Sequence, residues 1–378
     1  MAADFREFQI FVKPVGARCN LNCSYCYYLD KKDIAALPGG LMSDEILENY
    51  IRRHIEATTE PEIFFSWHGG EPTLAGLSFF RKVVTFQETY LPAGRAIRNG
   101  IQTNGTLITD DWGRFLSREN FYAGISLDGP ERYHNINRTR GGGSGTFDEV
   151  MRGLEILRRH KVPHEFLCVV NNDNVSSPLE VYRFFRELGA SYITFLPFVR
   201  EDGRGSGRAT PSSVRPMDFG RFLAAIFDEW IADDIGKVKV QIFEEALRTA
   251  FRQEHTLCIF KPVCGGVPVV EMNGDFYMCD HYVDPEHWLG NIANQHLAEL
   301  IDHPRQKAFG EVKRDSLPQY CLECEVLDMC NGECPKNRFT LAPAGAPGLN
   351  YLCEGYRYFF NHCAPFVSEV ARLWGDES

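Results

Sequence analysis

Cysteine spacing constrains this chain more than any other feature. Thirteen cysteines occur in 378 residues, and most fall into two sets. Cys19, Cys23 and Cys26 form a CxxxCxxC run directly after an apolar segment. Cys258, Cys264, Cys279, Cys321, Cys324, Cys330, Cys334 and Cys353 crowd the last third. Thiolates close in sequence meet one metal centre only where the chain turns sharply, as Gly265, Gly266, Gly274 and Gly332 allow. Three thiolates occupy three irons of a cubane and leave the fourth iron open, whereas eight suffice for two fully coordinated four-iron clusters. Zinc competes for both sets: His68 or a distant cysteine would complete the first site, and two ions would fit the second. Cys168 and Cys363 lie outside both sets and are expected as packed thiols.

Composition favours metal ligation over disulfides. The beginning, MAADFREFQIFVKP, has no basic segment leading into a long apolar run, and no stretch reaches the roughly 18 apolar residues of a membrane helix. A cytoplasmic protein without membrane contact is therefore expected, and there thiol buffers keep cysteine pairs reduced. A formal charge of -11 provides no general basic surface, so no nucleic-acid partner is expected.

Strand-like and helix-like segments alternate through the first two hundred residues. Segments 8–13, 62–67, 97–103, 121–127, 164–170 and 191–196 are rich in β-branched and aromatic residues, with helical patterns between them. Thr146 and Glu149 fit a capping box ahead of the stripe Phe147, Val150, Leu154 and Leu157. Ser177, Pro178 and Glu180 fit a cap, a first-turn proline and a reciprocal carboxylate, and Gly189 fits the end of that helix. Six such units predict an α/β fold, a partial (β/α)6 TIM-like barrel with a small cysteine-rich C-terminal domain binding iron–sulfur clusters. The expected divisions are a barrel core at 1–235, a helical linker at 236–257 and the cluster domain at 258–378. Residues 201–216 read as an exposed loop, and Phe219, Phe222, Leu223, Ile226 and Trp230 as the buried stripe of a helix.

Gly69 and Gly70 end the second expected strand, where β/α folds place ligand loops. Their missing side chains let a cofactor approach the backbone, and nearby carbonyls or Glu71 can accept hydrogen bonds from an amino group. A structural turn ahead of a helix is the plainer alternative.

The triplet followed by Tyr27 and Tyr28, with WHGGEPT at 67–73, QTNG at 102–105 and SLDG at 126–129, resembles the radical S-adenosylmethionine enzymes. The distal set resembles their SPASM extension. The resemblance implies three [4Fe–4S] clusters and S-adenosyl-L-methionine as cofactors. By it, Cys19, Cys23 and Cys26 hold the first cluster, Cys258, Cys264, Cys279 and Cys334 the second, and Cys321, Cys324, Cys330 and Cys353 the third. Ser126 and Arg138 then bind the cofactor carboxylate, Asn104 orients the ribose, and Tyr25 walls the adenine.

Within that group the chain is most similar to the anaerobic sulfatase-maturating enzymes, where the aspartate beside an auxiliary-cluster cysteine is the catalytic base. Here that residue is Asp280, whose bland alternative is a turn cap. The resemblance implies oxidation of a cysteine or serine in an unfolded sulfatase polypeptide to Cα-formylglycine. It also implies a low-potential electron donor such as flavodoxin or ferredoxin, and a monomer. The competing outcomes are a thioether or carbon–carbon crosslink in another peptide and, more remotely, a metal-rich electron-transfer scaffold. His68 is expected beside cofactor or substrate rather than on iron.

Overall fold

The computed structural model describes residues 8–28, 31, 40–203 and 207–377. Its first half alternates strand and helix: β1 (Phe11–Val12), α1 (Asp44–Ala57), β2 (Glu62–Trp67), α2 (Gly76–Tyr90), β3 (Ala96–Thr103), α3 (Asp110–Arg118), β4 (Phe121–Ser126), α4 (Glu131–Asn137), α5 (Phe147–Arg159), β5 (His164–Val170), α6 (Pro178–Glu187) and β6 (Tyr192–Pro197). All six expected strands are present, and α4 is an additional short helix. Then follow α7 (Pro216–Asp233), β7 (Lys239–Val240), α8 (Gln241–Ala250), β8 (Val269–Val270), β9 (Asp275–Tyr277), β10 (Trp288–Asn291), α9 (Leu297–Ile301), α10 (Pro304–Asp315), α11 (Gln319–Leu322), α12 (Leu327–Cys330) and α13 (Cys353–Glu377).

The chain forms two compact units. One comprises residues up to 126, 135–164 and 265–309, and the other 127–134, 165–264 and 310 onward. In the first unit β1 to β4 pair in parallel in sequence order. The other edge of β1 takes β8 in parallel, and β9 and β10 continue antiparallel. The segment that leads to Cys279 thus extends the sheet beside β1.

Alternation in β2 buries Ile63, Phe65 and Trp67. Each such side chain is worth about 1.5–3 kcal/mol in burial. Register is reinforced by a satisfied polar trio. The Trp67 indole donates to Asn99 Oδ1 at 2.9 Å, and the Asn99 and Gln87 amides exchange two hydrogen bonds of 2.9 Å.

In the second unit β5, β6 and β7 pair in parallel. The expected α7 stripe is buried throughout, and Phe227 packs edge-on against Phe243 and Phe359. A Cβ on Gly355 would lie 2.0 Å from the Pro216 carbonyl oxygen. Only glycine permits this approach, which seats the start of α13 and with it Cys353.

Local expectations fared unevenly. Helices α5 and α6 begin at the expected caps, yet neither Thr146 nor Ser177 makes a side-chain cap hydrogen bond. Thr146 Oγ1 donates instead to the Arg138 carbonyl at 2.9 Å, and Glu149 is drawn to Arg140. Gly189 does end α6, with φ +68°. In the 201–216 stretch Pro211 and Ser212 are exposed but Ser213 and Val214 are buried, and residues 204–206 lie outside the described residues.

Candidate active site and cluster-binding cysteines

The cysteine triplet lies in the loop that leaves β1. Its conformation is held by backbone hydrogen bonds from Asn22 to the Thr139 carbonyl and from Ser24 to the Asn137 carbonyl, and by a turn from Cys26 N–H to Cys23 C=O at 3.0 Å. The Cys19 sulfur accepts from the Leu21 amide at 3.3 Å and lies 3.8 Å from the Asn104 amide nitrogen. Burial pushes the Cys19 thiol up to about 12, assisted by Glu71, Cys23 and Cys26 and opposed by the Leu21 amide. A thiol so buried gives up its proton only in favour of a bound cation, which would hold Cys19, Cys23 and Cys26 as thiolates and offset their mutual repulsion.

The WHGGEPT loop packs against this one. Gly70 N–H donates to the Gly16 carbonyl at 2.8 Å and Glu71 N–H to the Arg18 carbonyl at 2.9 Å. A Cβ on Gly70 would lie 2.1 Å from the Arg18 carbonyl oxygen, while Gly69 adopts φ +134°. The Glu71 carboxylate is buried and joins the ends of β2 and β3. Its Oε1 accepts from Thr73 and Thr103, and its Oε2 accepts from Asn104 N–H at 2.7 Å. Burial raises the Glu71 carboxyl, and those donors oppose the shift.

The other expected cofactor residues of this unit have defined neighbours. Asn104 Oδ1 accepts from the Thr106 amide and hydroxyl, and its amide donates to Asn20 at 2.9 Å. Ser126 Oγ accepts from Gln102 Nε2 at 3.1 Å. The buried Arg138 guanidinium stacks over the Tyr25 ring at 5.4 Å, so the expected carboxylate binder and adenine wall are neighbours. Asp128 of the SLDG motif is structural: in the second unit its carboxylate accepts the Val169 N–H at 3.0 Å.

Asp280 sits in a nest of cations and tyrosines. Its carboxylate is buried, forms an ion pair with Lys13 Nζ at 2.7 Å and accepts from the Tyr27 hydroxyl, while Lys31 donates to its backbone carbonyl. Burial pushes this carboxyl up, but Lys13, Lys31 and His281 together outweigh it and hold the group well below the usual carboxylate range. Lys31 is drawn down to about 8 by burial, against the pull of Asp280. Tyr28 mirrors its neighbour by donating to the buried Glu271 at 2.6 Å. His68 stacks on Phe11 at 3.8 Å and its Nε2 lies 2.9 Å from Ser66 Oγ. Burial and Lys13 lower it to about 3, so the imidazole is neutral.

Sequence reasoning named Asp280 but missed Lys13, Lys31 and Glu271. The available signals were a lysine ending the apolar run FQIFVK and the tandem tyrosines after the triplet.

In the second unit the thiols of Cys321, Cys324, Cys330 and Cys353 line one cavity with Tyr320, Val326, Leu327 and Arg357. Burial pushes Cys330 and Cys353 up to about 12, and neighbouring thiolates add to it. Four thiols facing a single apolar space suit a cubane with every iron coordinated. Of the other expected set, Cys258, Cys264 and Cys334 belong to the second unit and Cys279 to the first. Burial pulls the nearby Lys313 ammonium below its ordinary range, and the Cys258 and Cys264 thiolates oppose that. Cys168 and Cys363 are fully buried, as expected of packed thiols. No helix among the described residues is long and apolar enough to cross a membrane.

Residues 14–185 match the Radical SAM superfamily and 264–325 an iron-sulfur cluster-binding domain, SPASM. A serine-type anaerobic sulfatase-maturating enzyme of Bacteroides thetaiotaomicron is 44% identical over 96% of this chain and 91% of its own length. A cysteine-type counterpart from Clostridium perfringens is 33% identical over 96% and 98%. The chain belongs to the anaerobic sulfatase-maturating enzymes. A solved structure of this family, native anSMEcpe with bound AdoMet and the Cp18Cys peptide, superposes with TM-score 0.86 at 32% identity, covering 96% of this chain and 98% of that one. Streptococcus suis SuiB bound to its precursor peptide SuiA, at 15% identity and TM-score 0.64 over 93% of this chain and 77% of its own, shares the fold. Membership in the maturase family makes this chain a radical S-adenosylmethionine enzyme that uses iron–sulfur clusters.

Proposed function

We propose that this chain oxidises a cysteine or serine of an unfolded sulfatase polypeptide to Cα-formylglycine, with Asp280 as the proton acceptor. The observation that carries the proposal is the Asp280 carboxylate, ionised by its Lys13 pair and directly following the expected ligand Cys279. Relatives named as serine- and cysteine-type maturases, and one solved with a cysteine peptide, support the polypeptide substrate. Three clusters are assigned: one to Cys19, Cys23 and Cys26, one to Cys258, Cys264, Cys279 and Cys334, and one to Cys321, Cys324, Cys330 and Cys353. The catalytic core is assigned to 1–235, the linker to 236–257 and the cluster domain to 258–378.

The clusters and S-adenosylmethionine, when bound, supply one-electron chemistry: a 5′-deoxyadenosyl radical that removes hydrogen from the substrate Cβ, and a sink for the electron that leaves the carbon. Gly69, Gly70 and Glu71 address the cofactor amino group, Ser126 and Arg138 its carboxylate, Asn104 its ribose and Tyr25 its adenine. Held so far below its ordinary range, Asp280 does not deprotonate a resting thiol or hydroxyl. The substrate proton becomes acidic as the carbon is oxidised, and an ionised carboxylate then takes it without reorganisation. The thioaldehyde from cysteine hydrolyses to formylglycine and sulfide, whereas serine gives the aldehyde directly. The enzyme is proposed to act as a cytoplasmic monomer served by a flavodoxin- or ferredoxin-type donor, without nucleic acid or membrane.

Anaerobic incubation of the reconstituted protein with matched cysteine and serine peptides tests this. Formylglycine lowers peptide mass by about 18 Da from cysteine and about 2 Da from serine, from atomic composition. Crosslinked product without formylglycine would favour the other peptide chemistry. Asp280→Asn with full iron loading should lose about 100-fold or more of product formation, and an unchanged rate would remove Asp280 from the reaction.

A further inference from the structure

Lys313 is wholly buried in α10 and forms no ion pair with a carboxylate among the described residues. Its Nζ instead donates to three backbone carbonyls of a single loop, those of Cys258 at 2.8 Å, Ile259 at 2.7 Å and Lys261 at 2.5 Å. A neutral amine has two N–H bonds and an ammonium has three, so three convergent acceptors select the charged form. Carbonyl dipoles soften the burial of that charge but do not neutralise it.

The same helix face grips the other end of the loop. Gly310, one turn before Lys313, accepts the Cys264 N–H at 3.2 Å, and a Cβ there would lie 2.3 Å from the Cys264 carbonyl oxygen. Thus α10 presents a close backbone contact at Cys264 and a fixed positive charge at Cys258. The neighbouring charged groups hydrogen-bond to neutral partners, although Glu333 still attracts the Lys313 ammonium. Glu333 accepts from Asn337 and Asn350, and Arg338 donates to the carbonyls of Gly332, Asn331 and Lys313. Glu333 and the Cys258 and Cys264 thiolates are the negative groups that attract this ammonium, and a thiolate-bound cluster would add its own charge to theirs.

We propose that Lys313 is a positioning residue whose buried charge raises the reduction potential of the cluster held by Cys258 and Cys264, so that this cluster accepts the electron leaving the substrate. One-electron reduction adds a negative charge to the cluster, and a fixed cation beside its ligands stabilises the reduced form more than the oxidised one. In the balanced step the substrate-derived carbon radical loses one electron to this cluster and one proton to Asp280. The inference rests on the ligand assignment made above.

The experiment is an anaerobic potentiometric titration of the cluster-loaded enzyme followed by electron paramagnetic resonance, with Cys264→Ala identifying the signal of this cluster. Lys313→Gln should keep wild-type iron and shift only that signal to more negative potential, so that at the wild-type midpoint the reduced fraction falls about fivefold to tenfold. The kcat for formylglycine formation should fall while the peptide KM holds. Lys313→Arg, which keeps the charge, should leave the midpoint close to wild type. A fully loaded Lys313→Gln enzyme with an unchanged midpoint overturns the proposal. Should that variant fail to hold the cluster, Lys313→Arg decides, because a wild-type midpoint supports the charge and a lowered one overturns it. If Cys264→Ala loses neither iron nor a signal, the ligand assignment itself fails and takes the proposal with it.

Discussion

The two cysteine-bearing regions are built on opposite principles. Around Cys19 the surroundings are polar: the Leu21 and Asn104 nitrogens lie near its sulfur, and Asn20, Thr106 and Glu71 complete a hydrogen-bonded lattice. Asp280, in the same unit, is set among Lys13, Lys31, Tyr27 and His281. Around Cys321, Cys324, Cys330 and Cys353 the cavity is mainly apolar, and four thiols are available to fill it. The first region offers donors and acceptors to a ligand that arrives and leaves. The second suits a permanent resident whose charge is met by its own thiolates. On the proposed assignment, open coordination would go with a polar, preorganised lattice, and closed coordination with apolar walls.

The strongest way to break this contrast is to remove one thiol from each region. Cys23→Ala should abolish S-adenosylmethionine cleavage, by more than about 1000-fold, and lose about four irons per chain. Cys324→Ala should also lose about four irons yet still release 5′-deoxyadenosine. Iron analysis with nucleoside quantification reads both, and a Cys324→Ala enzyme with an intact first cluster but no cleavage would contradict the division.

Lys13→Met sharpens the polar side. Asp280 has a depressed folded value, so its ion pair stabilises the fold above the ordinary carboxyl pKa of about 3.9 and is lost as pH falls through the depressed one. Without Lys13 the carboxyl titrates higher, and the acid limb of formylglycine formation should move to higher pH, with activity down about 10- to 100-fold. A pH–rate profile checks this.

Gly70→Ala tests whether the ligand loop is held by backbone contact. With the Arg18 carbonyl oxygen 2.1 Å from the new Cβ, the substitution should cost about 1–3 kcal/mol in denaturant unfolding and weaken S-adenosylmethionine binding.

The smallest effect belongs to the second unit, where His255 pairs with the buried Glu245 at 2.9 Å. Burial lowers His255, but Glu245 and the Asp328 carbonyl outweigh it and raise the imidazole above its ordinary value. The stabilisation is therefore complete below about pH 6.5 and fades as pH rises through the folded value. Glu245→Gln should flatten that dependence, by about 1 kcal/mol in unfolding experiments at pH 6 and pH 9.

Much of this protein is decided locally and was legible in the chain. Six strands and the α7 stripe follow from apolar periodicity, because burial of one face needs nothing but its neighbours in sequence. The short spacing of Cys19, Cys23 and Cys26 marks one local group, whereas the proposed division of the distal eight, which joins Cys258 to Cys334 and Cys321 to Cys353, comes from the family resemblance and not from spacing. Gly69 and Gly70 were expected to let a cofactor approach the backbone, and what the fold brings against them is protein backbone, the Gly16 carbonyl at Gly69 and the Arg18 carbonyl at Gly70.

Contacts distant in sequence were decided only by the tertiary fold. Thr146 abandons its cap for the Arg138 carbonyl, since a buried carbonyl is the more demanding partner. Lys13 and Asp280 are 267 positions apart (280 - 13) and meet because β8 pairs with β1 and brings the Cys279 segment to that edge. Neither residue type nor spacing encodes a pair formed by strand addition. Periodicity and turn chemistry act over a few residues, whereas the field at a buried carboxylate depends on every charge that the fold delivers to it.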